Sequence, residues 1–391
     1  MHPNNFAAVA VALAWGSSAA IVKMPIWIRN TYAMVEISVG TPPINHLLLF
    51  DTGSGTSWIV NQPCANGACK NFSGYPRYGY DAATSSTSQD LGIYDSIDYL
   101  GGNTGGPAKT DMFRVAGTSW NQSFIAANMT SWANIPGDGF LGLAFSSIAQ
   151  PRTETVVETM IQEGVLDKPK FAIYYGKEFL STGDGPGEGT LTLGGSEEAK
   201  YVDGDMTWVP GRKDNDSTVY QLWRSTLREA WGTYEGSDGA TVNSEPVQYE
   251  PGKANGVFDT GAGVIAVPKA AVDALYRGIG WPGFQAILKG DFIPLCSYFN
   301  ASWSVTFSFS DDGIEYSNVT MRGDQMHSQP GFAGREDACE PPFQDSDSDG
   351  LFLLGQSFLR GFYSVFDFGA TMVEDYNVRI GFGQLKKEFL N

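Results

Sequence analysis

The sequence predicts an all-β chain of two similar six-stranded, barrel-type lobes around a central cleft, with few short helices. Three observations carry the prediction of paired β-rich lobes. Glycine contributes 47 of the 391 residues and aromatics 13%, a mixture that suits short strands and tight turns better than a helical bundle. Segments such as "VEISVGTPP" alternate apolar and polar residues and stop at glycine and prolines, as a half-buried strand does. The third is an internal repeat. Asp51-Thr52-Gly53 leads on to "DGFLGLAF" with Gly142, and Asp259-Thr260-Gly261 leads on to "LFLLGQSF" with Gly355, at nearly the same interval. Matched order and spacing indicate a duplicated unit.

Taken in chain order, residues 1–20 read as a signal peptide. Phe6–Trp15 is too short an apolar run to span a bilayer, and the small residues Ser18-Ala19-Ala20 suit a cleavage site. The competing reading of this run is a first strand. The N-terminal lobe is assigned to 21–199 and the C-terminal lobe to 200–391. "HLLLF" is a short continuous apolar run, suited to a buried strand that delivers Asp51 into a glycine turn. Two helices are expected. In "TETVVETMIQEGV", Val157, Met160, Ile161 and Gly164 share a face. In "PKAAVDALYRGIG", Val272, Leu275, Tyr276 and Ile279 do so, with Pro268 at the start.

Composition excludes several classes of function. A net charge of −18 argues against nucleic acid and against an anionic membrane surface. No later stretch reads as a membrane helix, and "GQLKKEFLN" is no lipid-anchor tail. The loop 181–190 lacks the Gly-Lys-Ser/Thr of a phosphate loop. "DSDSDG" (345–350) begins like a calcium loop, but Gln356 stands where a bidentate glutamate is required, so it reads as an acidic surface loop. Neither a metal nor a cofactor is expected. The three histidines are His2, His46 and His327. His46 reads as a strand-edge residue and His327 as part of a polar loop. With no nucleophile signature beside them, histidine-based catalysis is discounted. Four cysteines, Cys64, Cys69, Cys296 and Cys339, allow three connectivities; proximity favours 64–69 and 296–339. Sequons at Asn71, Asn121, Asn128, Asn215, Asn300 and Asn318 support export.

The repeat brings chemistry with it. Equivalent turns of two lobes meet about a pseudo-two-fold axis, so Asp51 and Asp259 should face one another. Carboxylates about 3 Å apart share one proton. One can then take a proton from water while the other gives one to a carbonyl oxygen. Glycine allows the tight turn, and each threonine can bond across to the opposite lobe.

With these residues the chain resembles the pepsin-like aspartic proteases from about residue 30 onward. "DTGS" and "DTGA" resemble the family's two catalytic turns, and "VEISVGTPP" its first strand. Trp58 matches the tryptophan beside the flap. "DGFLGLAF" and "LLGQSFLRGFYSVFD" match the segments crossing behind each turn. The resemblance implies disulfides Cys64–Cys69 and Cys296–Cys339, and catalysis by Asp51 and Asp259. It gives supporting roles to Thr52, Gly53, Ser54, Thr260 and Gly261, with Ser54 bonded to Asp51. It places Tyr99 of "IDYLGGNTGG" on a flap where Leu100 replaces the usual glycine, with Tyr94 as the alternative flap tyrosine. Leu49, Tyr99 and Phe140 should line one apolar subsite and Leu353 the neighbouring one. The implied protein is a secreted or vacuolar, monomeric endopeptidase without a membrane anchor, cutting polypeptides between bulky apolar residues at acid pH. A binding or inhibitor protein of the same fold is the alternative; a two-carboxylate glycosidase has no need of mirrored turns. Only Ile21–Thr31 lie between the cleavage site and the matched first strand, too short for the family's usual basic pro-segment. Ala262 carries no hydroxyl for Asp259, which should raise the pair's apparent pKa values and give a milder working pH.

Overall fold

A computed structural model describes residues 20–213, 217–326 and 328–390. The expected signal peptide, apart from Ala20, lies outside the described residues, as do the Asn215 sequon and His327.

The chain from Val22 to Arg29 is a strand of the core, not a leader to it. Val22, Met24, Ile26 and Ile28 are buried while Lys23 and Pro25 are exposed. This period-two pattern covers one face of a sheet. The strand pairs with Thr190–Leu193 through its first half and with Tyr32–Val39 through its second. Between them Asn30 and Thr31 both take positive φ, 50° and 70°, as a two-residue hairpin matched to strand twist requires. The strand beginning at Tyr32 is therefore second in order, a correction to the assignment of "VEISVGTPP".

Strands Tyr32–Val39, Ile44–Asp51, Gly139–Gly142, Trp58–Val60, Thr118–Ala127 and Gly102–Val115 pair in that order. The last pairs back on the first, closing a six-strand barrel. Its interior is filled by Val35, Ile37, Phe50, Phe113, Trp120 and Phe124. The second half builds a nine-stranded sheet around Arg224–Glu235, Asn255–Phe258 and Leu351–Leu354.

The second half is not confined to that sheet. Phe362–Asp367 pairs with Lys170–Tyr174 of the first half, and Arg379–Gln384 and Thr207–Pro210 extend the same sheet. Phe171 stacks on Phe366 at 4.7 Å. Trp223 packs against Phe145, Phe366 and Phe368 and donates its indole N–H to the Leu143 carbonyl at 2.8 Å. The two halves thus share a continuous apolar core.

Both expected helices form. Val156–Gln162 buries Val157, Met160 and Ile161. Gly164 is not on that face: it lies beyond the helix, exposed, with φ of 66°, where glycine relieves the left-handed exit. Lys269–Gly278 follows Pro268 and buries Val272, Leu275 and Tyr276, with Ile279 buried just past its end. No helix among the described residues is long and apolar enough to cross a membrane. Residues 346–350 form an acidic turn at the surface.

Cys64–Cys69 and Cys296–Cys339 are disulfides with Cα separations of 5.0 and 4.8 Å. The second spans 43 residues and the first 5, so the second constrains the unfolded chain more. Replacing Cys296 and Cys339 by serine is expected to destabilise the protein by about 2–4 kcal/mol, and the Cys64–Cys69 pair by less. Urea unfolding of the two serine variants checks the order. Among the described sequons, Asn121, Asn128, Asn300 and Asn318 are exposed, while Asn71 is half-buried and donates to the Tyr75 carbonyl.

Candidate active site

Two strands of the same design carry the two aspartates. Ile44–Asp51 runs parallel to Gly139–Gly142, with Leu49 opposite Phe140. Asn255–Phe258 runs parallel to Leu351–Leu354, with Val257 opposite Leu353. Each strand ends where a glycine turn begins, so each carboxylate leaves its sheet at the junction of the lobes.

The threonines join the two turns. Thr52 N–H donates to the Thr260 hydroxyl and Thr260 N–H to the Thr52 hydroxyl, both at 2.9 Å. The Thr52 hydroxyl donates to the Phe258 carbonyl at 2.7 Å and that of Thr260 to the Phe50 carbonyl at 2.8 Å. All four bonds are buried and cross between the halves. Gly53 N–H donates to Asp51 Oδ1, and Gly261 N–H to Asp259 Oδ1, each at 2.8 Å. A Cβ on Gly53 would lie 2.8 Å from the Asp259 carboxyl group, and one on Gly261 would lie 2.5 Å from Asp51 Oδ1. Each carboxylate therefore rests against the glycine of the opposite turn, and no larger residue fits at either place.

Burial raises the Asp51 carboxyl well above the usual range. The nearby Asp259 charge adds to this, and the Gly53 N–H opposes it. Asp259 is also raised by burial, against the N–H groups of Gly261, Ala262 and Gly53 and the Asp51 side chain. Two buried carboxyls in this relation titrate as a pair.

The Ser54 hydroxyl does not bond Asp51. It donates to the Thr56 carbonyl at 3.1 Å and lies 3.1 Å from the Tyr99 hydroxyl. The turn points this side chain away from the carboxylate and toward the flap. The comparison with Ala262 changes accordingly. A hydroxyl at this position in the first turn steadies a tyrosine, and the Asp259 carboxylate already has the Ala262 backbone N–H. Ala262→Thr is thus expected to leave the acidic limb of a pH profile within about 0.3 unit of the wild type, below the roughly one unit that a lost charged hydrogen bond could supply.

Tyr99 ends the strand Gln89–Tyr99 at the tip of the hairpin with Gly102–Val115. Its ring packs on Phe140 at 5.4 Å and Trp132 at 5.9 Å, and Trp58 packs on Phe140 at 4.9 Å. Burial raises the Tyr99 phenol and the Asp51 charge raises it further, and its hydroxyl reaches the first turn at Ser54. Tyr94 is 58% exposed and bonds Asn128 instead. Leu100 is 94% exposed at the hairpin tip. Leu49 and Phe140 are buried with Trp58, and Leu353 is half-buried. A cavity of about 430 Å³ opens beside the Asp259 turn, lined by Tyr32, Trp132, Gly261, Met326, Pro342 and Gln356.

His46 is a correction. It is 1% exposed within Ile44–Asp51, and its Nδ1 lies 2.7 Å from Asp138 Oδ2. Asp138 Oδ1 also accepts from Tyr78 N–H at 2.9 Å. The strand has neighbours on both sides, so a polar residue there is buried, and Asp138 supplies its partner from far along the chain. Residues beneath the site that sequence reasoning missed are Gln356, whose Nε2 donates to the Thr260 carbonyl at 2.8 Å, and Ser57, whose hydroxyl accepts from Gly142 N–H. Gln356 repeats no residue of the first lobe's pattern, so the duplication gave no signal for it.

Mirrored Asp-Thr-Gly turns, knit across two lobes under a tyrosine-bearing hairpin, define an aspartic-type endopeptidase. Residues 31–378 match the sequence profile described as eukaryotic aspartyl protease, and the chain belongs to that family. It is 28% identical to cathepsin E-B of Xenopus laevis over 86% of this chain and 77% of that protein. It is 29% identical to human (Homo sapiens) gastricsin over 89% and 80%, and 26% identical to pepsin A of Suncus murinus over 86% and 78%.

Proposed function

We propose that this enzyme is exported, to the outside of the cell or to a vacuolar lumen, and cleaves polypeptides at acid pH between bulky apolar residues, with Asp51 and Asp259 as the catalytic pair. The observation that carries this reading is the placement of each carboxylate against the glycine of the opposite turn, in a pair whose carboxyls burial raises, Asp51 further through the Asp259 charge. The charged carboxyl takes a proton from water as the water oxygen attacks the peptide carbon. The protonated carboxyl donates to the carbonyl oxygen. In the second step the protonated carboxyl gives its proton to the amide nitrogen while the other carboxylate takes a proton from a hydroxyl of the tetrahedral diol; C=O re-forms, the C–N bond breaks, and the pair is left with one proton. Tyr99 serves as the flap residue of this reading, and the cavity beside the Asp259 turn takes its apolar character from Tyr32, Trp132, Met326 and Pro342, with Leu49 and Phe140 packed behind Tyr99 and Trp132.

Activity depends on one proton in the pair, so it falls when both carboxyls are protonated and again when both are ionised. Cleavage of an unfolded protein across this pH range, with and without a statine-type inhibitor, tests the reading; no inhibitor-sensitive cleavage at any acid pH would reject it. Peptide-library profiling tests the substrate class, and charged residues on both sides of the cut bond would reject that part. Ser54→Ala removes the flap contact but no proton from the pair. It should lower kcat/KM by about two- to thirteenfold, from a hydrogen bond worth about 0.5–1.5 kcal/mol, with both limbs of the pH profile unmoved.

A further inference from the structure

The hairpin that carries Tyr99 has a third strand near its tip. Thr118–Ala127 pairs with Gly102–Val115 as far as Ala108, opposite Ile125. After Ala127 the chain resumes that pairing closer to the tip. Met129–Thr130 runs antiparallel to the same strand, with Thr104 opposite Thr130 and Gly105 opposite Met129. Asn128 N–H donates to the Gly105 carbonyl and Ser131 N–H to the Asn103 carbonyl, both at 2.9 Å. The Ser131 hydroxyl accepts from Asn103 N–H at 2.7 Å. Asn103 lies opposite Asp98 in the hairpin, and Gly102 opposite Tyr99. A hairpin of two strands is marginally stable alone, so bonds this close to the tip decide how freely Tyr99 moves.

The tip itself rests on Trp132. A Cβ on Gly101 would lie 2.6 Å from Trp132 Cη2. One on Gly102 would lie 2.6 Å from Ser131 Oγ and 3.2 Å from Trp132 Cε2. Both glycines are thus pressed against the indole and the serine, while Leu100 before them turns out to solvent. Trp132 meets Tyr99 edge-on at 5.9 Å and packs on Phe140 at 5.2 Å. The segment is also held from behind. Arg77, buried, donates from Nη2 to the Trp132 carbonyl at 2.8 Å and from Nε to the Gly137 carbonyl at 3.2 Å. The Ala133 carbonyl accepts from Phe72 N–H at 2.6 Å. One end of this segment is therefore fixed to the body of the lobe, and the other end grips the hairpin.

We propose that Asn128–Trp132 latches the flap and that Ser131 is a positioning residue for the reaction: by fixing Asn103 it seats Gly101 and Gly102 on Trp132 and keeps the Tyr99 hydroxyl at Ser54. The inference rests on the protease reading, with Tyr99 as its flap residue. A hairpin free at its tip would sample many positions, and substrate would have to order it on binding. The latch orders it beforehand, which lowers that cost.

Two measurements test this. Ser131→Ala deprives Asn103 N–H of its acceptor, and because Ser131 is exposed the variant should fold. It should lower kcat/KM by about two- to tenfold, the scale of one hydrogen bond. Ser131→Thr keeps the hydroxyl and should stay within about twofold of the wild type. A loss that acts through Tyr99 shrinks once the Tyr99 contact is gone. Ser131→Ala should therefore cost less in a Ser54→Ala background than in the wild type. Additive losses, or an equal loss in Ser131→Thr, would overturn the proposal. The second measurement needs no activity. Hydrogen exchange in peptides covering 97–105 should speed up by roughly threefold or more in Ser131→Ala. It should do the same in Gly102→Ala, whose methyl group would displace the Ser131 hydroxyl. Exchange in Ile44–Asp51 should not change. Wild-type exchange at the hairpin in both variants, or a rise spread across the barrel, would reject the latch. Absence of hydrolysis by the wild type would reject the protease reading, while the exchange comparison would still decide whether Ser131 holds the hairpin.

Discussion

Asp51→Asn and Asp259→Asn are each expected to reduce kcat by at least about three to four orders of magnitude, with the double variant hardly worse than either single one, because residues that act as one unit do not add. Either substitution removes a proton that the cycle must move, so the second has nothing left to disable. Stability should move the other way. The folded pair binds a proton more tightly than the unfolded aspartates do, since burial raises both carboxyls. Its contribution to stability is complete below the ordinary aspartate pKa. It is lost as pH rises from there through the raised folded value. The asparagine variants should consequently unfold at higher temperature than the wild type near neutral pH, and the difference should shrink toward pH 3. Thermal melts across that range, with turnover of an unfolded protein, check both halves. Substantial activity in Asp259→Asn would reject the paired mechanism.

Thr260→Val should have the next largest effect. The hydroxyl it removes accepts from Thr52 N–H and donates to the Phe50 carbonyl, and valine of similar size leaves both groups buried without partners. At about 1–3 kcal/mol for each such group, the variant should lose about 2–6 kcal/mol of stability. The turn carrying Asp259 also loses its register against Asp51, so kcat should fall more than KM rises. Thr260→Ser keeps the hydroxyl and should stay close to wild type in both. Urea midpoints and steady-state kinetics of the pair settle it; equal behaviour of the serine and valine variants would show that the hydroxyl contributes nothing.

The parts of this molecule that were legible in its sequence are those set by local pattern or by repetition. The Asp-Thr-Gly turns, the apolar strands leading into them and the helix Lys269–Gly278 each announce themselves within a dozen residues. What stayed hidden depends on partners distant in the chain. Val22–Arg29 has a clear alternation of apolar residues, but it follows directly on the run 1–20 that reads as a signal peptide, and its partners Thr190–Leu193 lie far along the chain. His46 looked like an edge residue because its burial depends on Asp138, in a different part of the barrel. The orientation of Ser54 is a matter of turn geometry that residue identity does not specify.

The sheet that unites Lys170–Tyr174 with Phe362–Asp367 changes what severing the chain would do. A cut in the connection near residue 213 breaks one covalent link and leaves the ladder of that sheet, the Trp223 contacts and the crossed threonines in place. The polypeptide is in this respect a tethered heterodimer, and a nicked two-chain form should keep its fold. Either half expressed alone would meet the opposite fate. The 1–200 fragment would present Lys170–Tyr174 as an unpaired edge, open to the same strand of another copy, and self-association through that edge is the state it should adopt.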